Sequence, residues 1–385
     1  MAATIKIDSR KIKDFFKRAD IFLLAVCMIC TIFGIVMIYS MTSSYGWAKY
    51  VVVQGFAMFL GIGAFVVFTV IDPDLIADKW VYLTIFNVLF IVGLIFFGKG
   101  DEVGSRAWYR FAGIGVQPSE IVKVIFIVLI AKQMATYKEQ RTLNKFPSVL
   151  KLGIHWALYF GLITVIPNDL GSALIFLAIF MVMLICAGIA WYWMAAAAAV
   201  VAAMTPLFWN FFLGDYQKKR ILAPYIPDVV DPTGQGITWQ TNLCKEALAS
   251  GRWTGVGFGE GSFSQSSYNA RHTDCIFASI GEELGMVAGI IIIVLLSIII
   301  IRCCIIGVRS GSPFGMLICF GVATALAFQT FINIGMCIGI TPVIGITLPF
   351  FSYGGSSIVA MYAAVGLVSG VKYRPKPRQN VLQSQ

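Results

Sequence analysis

The chain has 385 residues, of which 58% are hydrophobic and 12% charged, and it carries a formal net charge of +10. Soluble domains carry about 25% charged residues, and here residues 170–214 and 310–371 contain no Asp, Glu, Lys or Arg. A water-soluble enzyme, a disulfide-stapled secreted domain and a nucleic-acid binder are excluded, and the class is an all-α polytopic membrane protein.

Roughly 20 apolar residues cross the hydrocarbon core, and runs of that length predict ten spans. A basic N-terminal segment, 1–19, precedes the first, at 20–40. That run lacks a small-x-small cleavage site and reads as a signal anchor. The next four cover 49–71, 80–98, 118–136 and 152–167. The uncharged stretch 170–214 is twice too long for one crossing and holds the sixth and seventh, with a turn near Gly188. A large loop, 214–275, leads to the eighth span at 276–301 and the ninth at 314–334. Pro342, Gly345, Pro349 and Tyr353-Gly354-Gly355 then break any regular helix before the tenth, at 355–371. Such a re-entrant segment is tolerated at membrane depth only where protein or a wet cavity satisfies its backbone. Residues 20–371 thus form one membrane domain, and 372–385 a basic tail.

Charge orients the chain. Lys6, Arg10, Lys11, Lys13, Lys17 and Arg18 at one end and Lys372, Arg374, Lys376 and Arg378 at the other place both termini in the cytoplasm. The 137–151 loop adds Lys138, Arg141, Lys145 and Lys151 on the same side. The exceptions lie outside: Lys99, Arg106 and Arg110, and in the large loop Lys218, Lys219, Arg220, Lys245, Arg252 and Arg271. Long loops translocate regardless of charge; an anionic ligand at the outer surface is the sharper reading.

Ionisable groups in spans are costly and functional by default. The acids in or beside spans are Glu120, Asp169, Asp274, Glu282 and Glu283. Glu120 and Lys123 are one turn apart and can neutralise each other. Asp169 fits a helix N-cap equally well. At least one of Glu282 and Glu283 points into the bundle. Asp274 stands at the outer mouth of the eighth span, where it can cap the helix or act as a general base. The Gly251–Gly261 run superficially resembles a phosphate loop but lacks the following Lys-Ser/Thr. His155 and His272 are the only histidines, so no metal-ligand cluster is evident; a divalent cation, Mg or Mn, shared between a carboxylate and a phosphate stays open. Of nine cysteines, Cys27 and Cys30 read as packing residues, and pairing of Cys244 with Cys275 stays open.

Five stretches together resemble the SEDS family of bacterial cell-wall polymerases, the RodA, FtsW and SpoVE group. They are Gly104-Ser105-Arg106-Ala107-Trp108 with Gln117-Pro118-Ser119-Glu120-Ile121-Val122-Lys123; Asp169-Leu170-Gly171-Ser172-Ala173; and Tyr216-Gln217-Lys218-Lys219-Arg220-Ile221. His272-Thr273-Asp274-Cys275 with Gly281-Glu282-Glu283-Leu284-Gly285, and the run Pro342 to Ser357, complete the set in the family's order. The family usually has Arg before the Trp, where Ala107 stands here, and Phe after His-Thr-Asp, where Cys275 stands. The short N-terminus and compact tail are closest in type to RodA.

The resemblance implies an inverting peptidoglycan glycosyltransferase that polymerises lipid II into β-1,4 glycan strands at the outer face of the cytoplasmic membrane. Its partners would be a class B penicillin-binding protein and other elongasome or divisome membrane proteins. Asp274 matches the family's loop aspartate and is the expected catalytic residue. Trp108, Arg106, Arg110, Gln117, Glu120, Lys123, Gln217, Lys218, Arg220, His272, Thr273, Glu282, Glu283 and Ser352 are the expected substrate contacts. The prenyl tail is expected in a lipid-facing groove walled by the ninth and tenth spans. A lipid II flippase and a non-catalytic scaffold are the alternatives.

Overall fold

The computed structural model describes residues 15–43, 46–98, 106–111, 114–266 and 268–374. Lys6, Arg10, Lys11, Lys13, Lys99, Gly104, Ser105, Lys376 and Arg378 lie outside these residues.

Long helices occupy all ten expected spans. They are α1 (Ile21–Thr42), α2 (Trp47–Val70), α3 (Trp80–Val92, continued by Leu94–Phe97), α4 (Pro118–Glu139) and α5 (Phe146–Val165). Then come α6 (Leu170–Ala187), α7 (Trp191–Leu207), α8 (Ile276–Arg309), α9 (Pro313–Ile338) and α10 (Gly355–Tyr373). Nine helices among the described residues are long and apolar enough to cross a membrane. The exception is α4, whose apolar residues are diluted by Glu120, Lys123, Lys132, Lys138 and Glu139. The charges along its length are paired within the protein, Lys123 with Glu120 at 2.9 Å and Lys132 with Asp74 at 3.0 Å, while Lys138 and Glu139 are exposed at its end. Hydropathy therefore counts one helix too few.

Local chemistry sets the helix ends. The side chains of Asp20, Asp169 and Ser312 accept from Leu23 N, Ser172 N and Gly315 N, capping α1, α6 and α9. Pro118 and Pro313 occupy first turns, where no backbone N–H is needed. Helix α8 runs to Arg309 instead of ending near 301. Arg302, just past the expected end, has its guanidinium 2.8 Å from the Asp20 carboxylate, so the helix carries a charge through without stopping.

Helices α9 and α10 form the centre. α10 lies along α2 and touches α4, while α9 is enclosed by α4, α6 and α8. At the other extreme, α7 has no buried residue. A short antiparallel hairpin, β1 (Tyr109–Phe111) with β2 (Ile114–Val116), precedes α4 and was not expected. The large loop contains helices Asp215–Leu222, Pro227–Val230 and Trp239–Gly251, the last packed on α8. Residues 339–354 are irregular, as the prolines and glycines require.

Candidate active site

Asp274 is held by its backbone. Four successive carbonyls each accept a hydrogen bond from a different donor. Arg271 O takes Ser279 Oγ at 2.9 Å and His272 O takes Tyr353 N at 2.9 Å. Thr273 O takes Ser352 Oγ at 2.6 Å, and Asp274 O takes Asn333 Nδ2 at 2.8 Å. The donors come from α8, the irregular segment and α9, so three elements fix the peptide that presents the carboxylate. That carboxylate is half-buried and faces the irregular segment at Gly345. The backbone there has φ 71°, and a Cβ would lie 3.6 Å from Asp274 Oδ2.

The expected contacts beside Asp274 are mostly architectural. Ser352 spends its hydroxyl on Thr273 O and on the Leu348 N–H. The His272 ring is boxed by Tyr50 at 5.0 Å and Tyr353 at 5.5 Å, and its Nδ1 has no hydrogen-bond partner. Burial, reinforced by the Arg271 guanidinium, pushes its pKa down to about 4. The ring is therefore neutral at physiological pH and supplies no charge for an anion.

Cations stand beside the first part of the irregular segment. Arg220 and Lys245 line a small cavity with Thr241, Gly339, Pro342 and Val343. Arg220 also stands over the Tyr216 ring at 5.9 Å. Gln217 caps its own helix, accepting from Gly214 N at 2.7 Å, and Lys218 is half-buried on the same helix.

Beyond Gly345 lies a second polar centre. Asp169 accepts from Ser172 N at 2.8 Å, Ser172 Oγ at 2.6 Å and Gln117 Nε2 at 3.1 Å. Burial nonetheless holds its carboxyl above the ordinary carboxylate range. The Gln117 N–H donates to Ser356 Oγ at 3.1 Å, joining the starts of α4, α6 and α10. Gly171 packs against the Ile344 carbonyl, so residues 344–346 run between Asp169 and Asp274. One turn deeper, Glu120 accepts from Lys123, Gln329 and Ser357 and is fully engaged in the bundle. On the hairpin, Trp108 packs on Gly115, and Arg106 and Arg110 are exposed.

Glu282 and Glu283 both point inward, onto the large loop. Glu282 accepts from Ser262 Oγ, Phe263 N, Ser264 N and Ser264 Oγ at 2.9–3.1 Å. Glu283 accepts from Ser40 Oγ at 2.6 Å and Gly259 N at 3.1 Å. The glycine-rich run is thus a strap and not a phosphate cradle. Cys244 and Cys275 are free thiols, buried with Cys337 behind Asp274.

Three polar residues that build the site were missed from the sequence. Asn333 is one. Gln54 pins the irregular segment to α2 through Ser352 O at 2.9 Å and Gly354 N at 3.1 Å. Ser40 is the third. Gln54 and Asn333 are isolated polar residues in apolar runs, which was the available signal; Ser40 sits beside Thr42, Ser43 and Ser44 and gave none.

A groove of about 580 Å³ opens between α2, α4 and α10, lined by Val52, Phe56, Leu60, Val124, Val128 and Ala363. The tenth span contributes one wall of this groove, and α9, the other wall expected for a prenyl tail, does not line it.

Residues 20–376 match the model of a family described as cell cycle proteins, that of FtsW, RodA and SpoVE. The chain is 31% identical over 372 residues to the probable peptidoglycan glycosyltransferase FtsW of Geobacter metallireducens, covering 94% of this chain and 96% of that one. It is 32% identical over 318 residues to the peptidoglycan glycosyltransferase MrdB of Escherichia coli, covering 81% and 82%. It is 30% identical over 366 residues to the stage V sporulation protein E of Bacillus subtilis, covering 91% and 96%. Among solved structures, RodA of Thermus thermophilus shares the fold with a TM-score of 0.68 at 22% identity, over 92% of this chain and 96% of that one. A chain from a peptidoglycan synthase complex does so with a TM-score of 0.77 at 24% identity, over 92% and 97%. The chain belongs to the FtsW, RodA and SpoVE family of cell cycle proteins.

Proposed function

We propose that this chain is a peptidoglycan glycosyltransferase that polymerises lipid II, with Asp274 as general base. The observation that carries the site assignment is the Asp274 carboxylate facing Gly345 from a peptide fixed by three elements. A base positioned in advance is ready for proton transfer. Asp274 takes the proton of the acceptor's GlcNAc 4-hydroxyl as that oxygen attacks the donor's anomeric carbon. The new C–O bond forms as the bond to the diphosphate breaks, with inversion to a β-1,4 linkage. The leaving group is already an activated diphosphate, so no second carboxylic acid is needed, unlike in most glycoside hydrolases. Arg220 and Lys245, beside the irregular segment, neutralise the departing charge. The apolar groove between α2, α4 and α10 takes a prenyl tail.

Among the described residues no three His, Cys, Asp or Glu side chains form a metal-binding group. The described residues by themselves offer no ready-made cation cage. An Mg or Mn ion would arrive with the substrate, held by phosphate oxygens and one carboxylate. Both termini lie in the cytoplasm, so the site opens outward, and the partner is a class B penicillin-binding protein with other elongasome or divisome membrane proteins. The flippase alternative needs mobile intramembrane acids, yet Glu120 and Glu282 are each held by at least three donor atoms. A scaffold would not need Asp274.

The test is polymerisation of lipid II by the purified chain with its partner, read as glycan ladders on a gel. Asp274→Asn is expected to abolish the ladder at unchanged melting temperature. Wild-type ladders from that variant would remove Asp274 from the mechanism.

A further inference from the structure

Asn333 lies in the middle of the fixed peptide's support and has no charge of its own to contribute to chemistry. It is fully buried on α9. Its amide nitrogen donates twice, to Asp274 O at 2.8 Å and to Ile346 O at 2.7 Å. These two carbonyls belong to the two walls of the site: the peptide carrying the carboxylate, and the irregular segment that the carboxylate faces. One side chain therefore bridges the two walls at Asp274 itself, next to the direct bonds from Tyr353 N to His272 O and from Ser352 Oγ to Thr273 O. One turn later on α9, Cys337 Sγ also approaches Asp274 O, at 4.0 Å, but a thiol is a weak donor and reaches only one wall. No other donor serves Ile346 O among the hydrogen bonds of the described residues.

We propose that Asn333 is a positioning residue for the glycosyl transfer, acting through the two carbonyls to hold Asp274 at its working distance from the Gly345 wall. The inference rests on Asp274 being the base. An amide suits the role because only a primary amide or a cation offers two protons from one nitrogen. A Lys or Arg would add an unpaired charge beside the carboxylate. Asp cannot replace it, because an ionised carboxylate turns two donated bonds into repulsion with two carbonyl oxygens, and a protonated one donates once.

The experiment measures kcat, KM and melting temperature for Asn333→Ala, Asn333→Asp, Asp274→Asn and Thr31→Val, each as the full chain with its partner, on fluorescent lipid II. Thr31→Val is the stability control, since it loses a buried hydroxyl contact with Tyr362 at 3.1 Å in the α1–α10 packing. Misplacement of a reacting group by about 1 Å costs roughly 100-fold. Asn333→Ala is accordingly expected to lose about 100-fold in kcat with KM within about threefold. Thr31→Val is expected to lower the melting temperature comparably and keep kcat. For Asn333→Asp, kcat is expected to recover as pH falls and its carboxyl gains a proton to donate, opposite to the wild-type trend for a base that must be ionised. The proposal is overturned if Asn333→Ala loses no more kcat than Thr31→Val, or if Asn333→Asp follows the wild-type pH trend. Full activity in Asp274→Asn overturns the reading of the base itself, which the other variants cannot do.

Discussion

At the scale of one residue, His272 shows how burial decides chemistry. It is two positions from Asp274, and in sequence its imidazole is a ready anion ligand. Closed in by Tyr50 and Tyr353 and 6% exposed, it titrates near 4 instead of in the ordinary range around 6.5. Above about pH 6.5 the ring is neutral in folded and unfolded chains alike and costs nothing. Between about 6.5 and 4 the unfolded chain binds a proton that the folded chain does not, so stability falls as pH falls. A depression of that size is worth on the order of 3 kcal/mol once both states are protonated. His272→Phe fills the same aromatic box without titrating. Its melting temperature in detergent is expected to drop less than the wild type's between pH 7 and pH 4.5. Equal drops in the two proteins would show that the ring is not the acid-sensitive group. The same contrast explains which roles were legible. Asp274 stood out because its His-Thr-Asp stretch matches the family's loop aspartate, whereas Asp20 and Asp169 at other span mouths serve as helix caps. Glu282 and Ser352 were indistinguishable from ligands until their partners, Phe263 N, Ser264 N and Thr273 O, came into contact through folding.

At the scale of elements, the break in α8 links the large loop to the helix that begins at the base. Gly285 adopts φ 76° and ψ −177°, so the helix opens for one turn. The strap fills the opening: Val256 N and Gly257 N donate to Glu282 O and Glu283 O, and Met286 N donates to Arg252 O at 2.8 Å. A Cβ on Gly285 would overlap Trp253 O, and the backbone conformation itself disfavours any side chain. Gly285→Ala is therefore expected to cost about 3 kcal/mol through clash and strain combined. It should also free the strap, which limited proteolysis would detect as new cleavage around residues 252–261. Unchanged proteolysis and melting would mean that the strap does not depend on the break. None of this was visible in the sequence. Uncharged runs locate spans because water and lipid sort side chains by polarity, so the ten helices were legible to within a few residues at most ends. A helix interrupted for one turn keeps the same hydropathy, and a strap made of backbone bonds leaves only glycines as its trace.

At the scale of the whole molecule, the site and its anchor lie at opposite ends of α8. Arg302 follows Asp274 by 28 positions, on the order of 40 Å of helix. There the buried Asp20 carboxylate gathers three elements: it caps α1 at Leu23 N, meets Arg302 at 2.8 Å and meets Lys372 of α10 at 3.1 Å. The Asp20 N–H donates to Ser369 Oγ, a second tie between α1 and α10. Because α10 lies along α2 and α8 lies against α9, these contacts close the bundle at the end away from the base. Removing a buried partner strands the opposite charges. Arg302 and Lys372 are 28% and 37% exposed, however, and can turn toward water, which softens the penalty. Asp20→Ala should therefore destabilise the fold by about 3 kcal/mol, combining the lost cap with the lost pairs. Asp20→Asn, which keeps the cap, should lose about half of that. Glycan synthesis by the fraction that remains folded should be unaffected in both, because nothing within reach of Asp274 changes. The comparison that decides is melting temperature against specific activity at a temperature where all three proteins are folded. A loss of specific activity in Asp20→Asn at full folding would show that the two ends of the bundle are coupled, and that the anchor sets the geometry of the base as well as the stability of the fold.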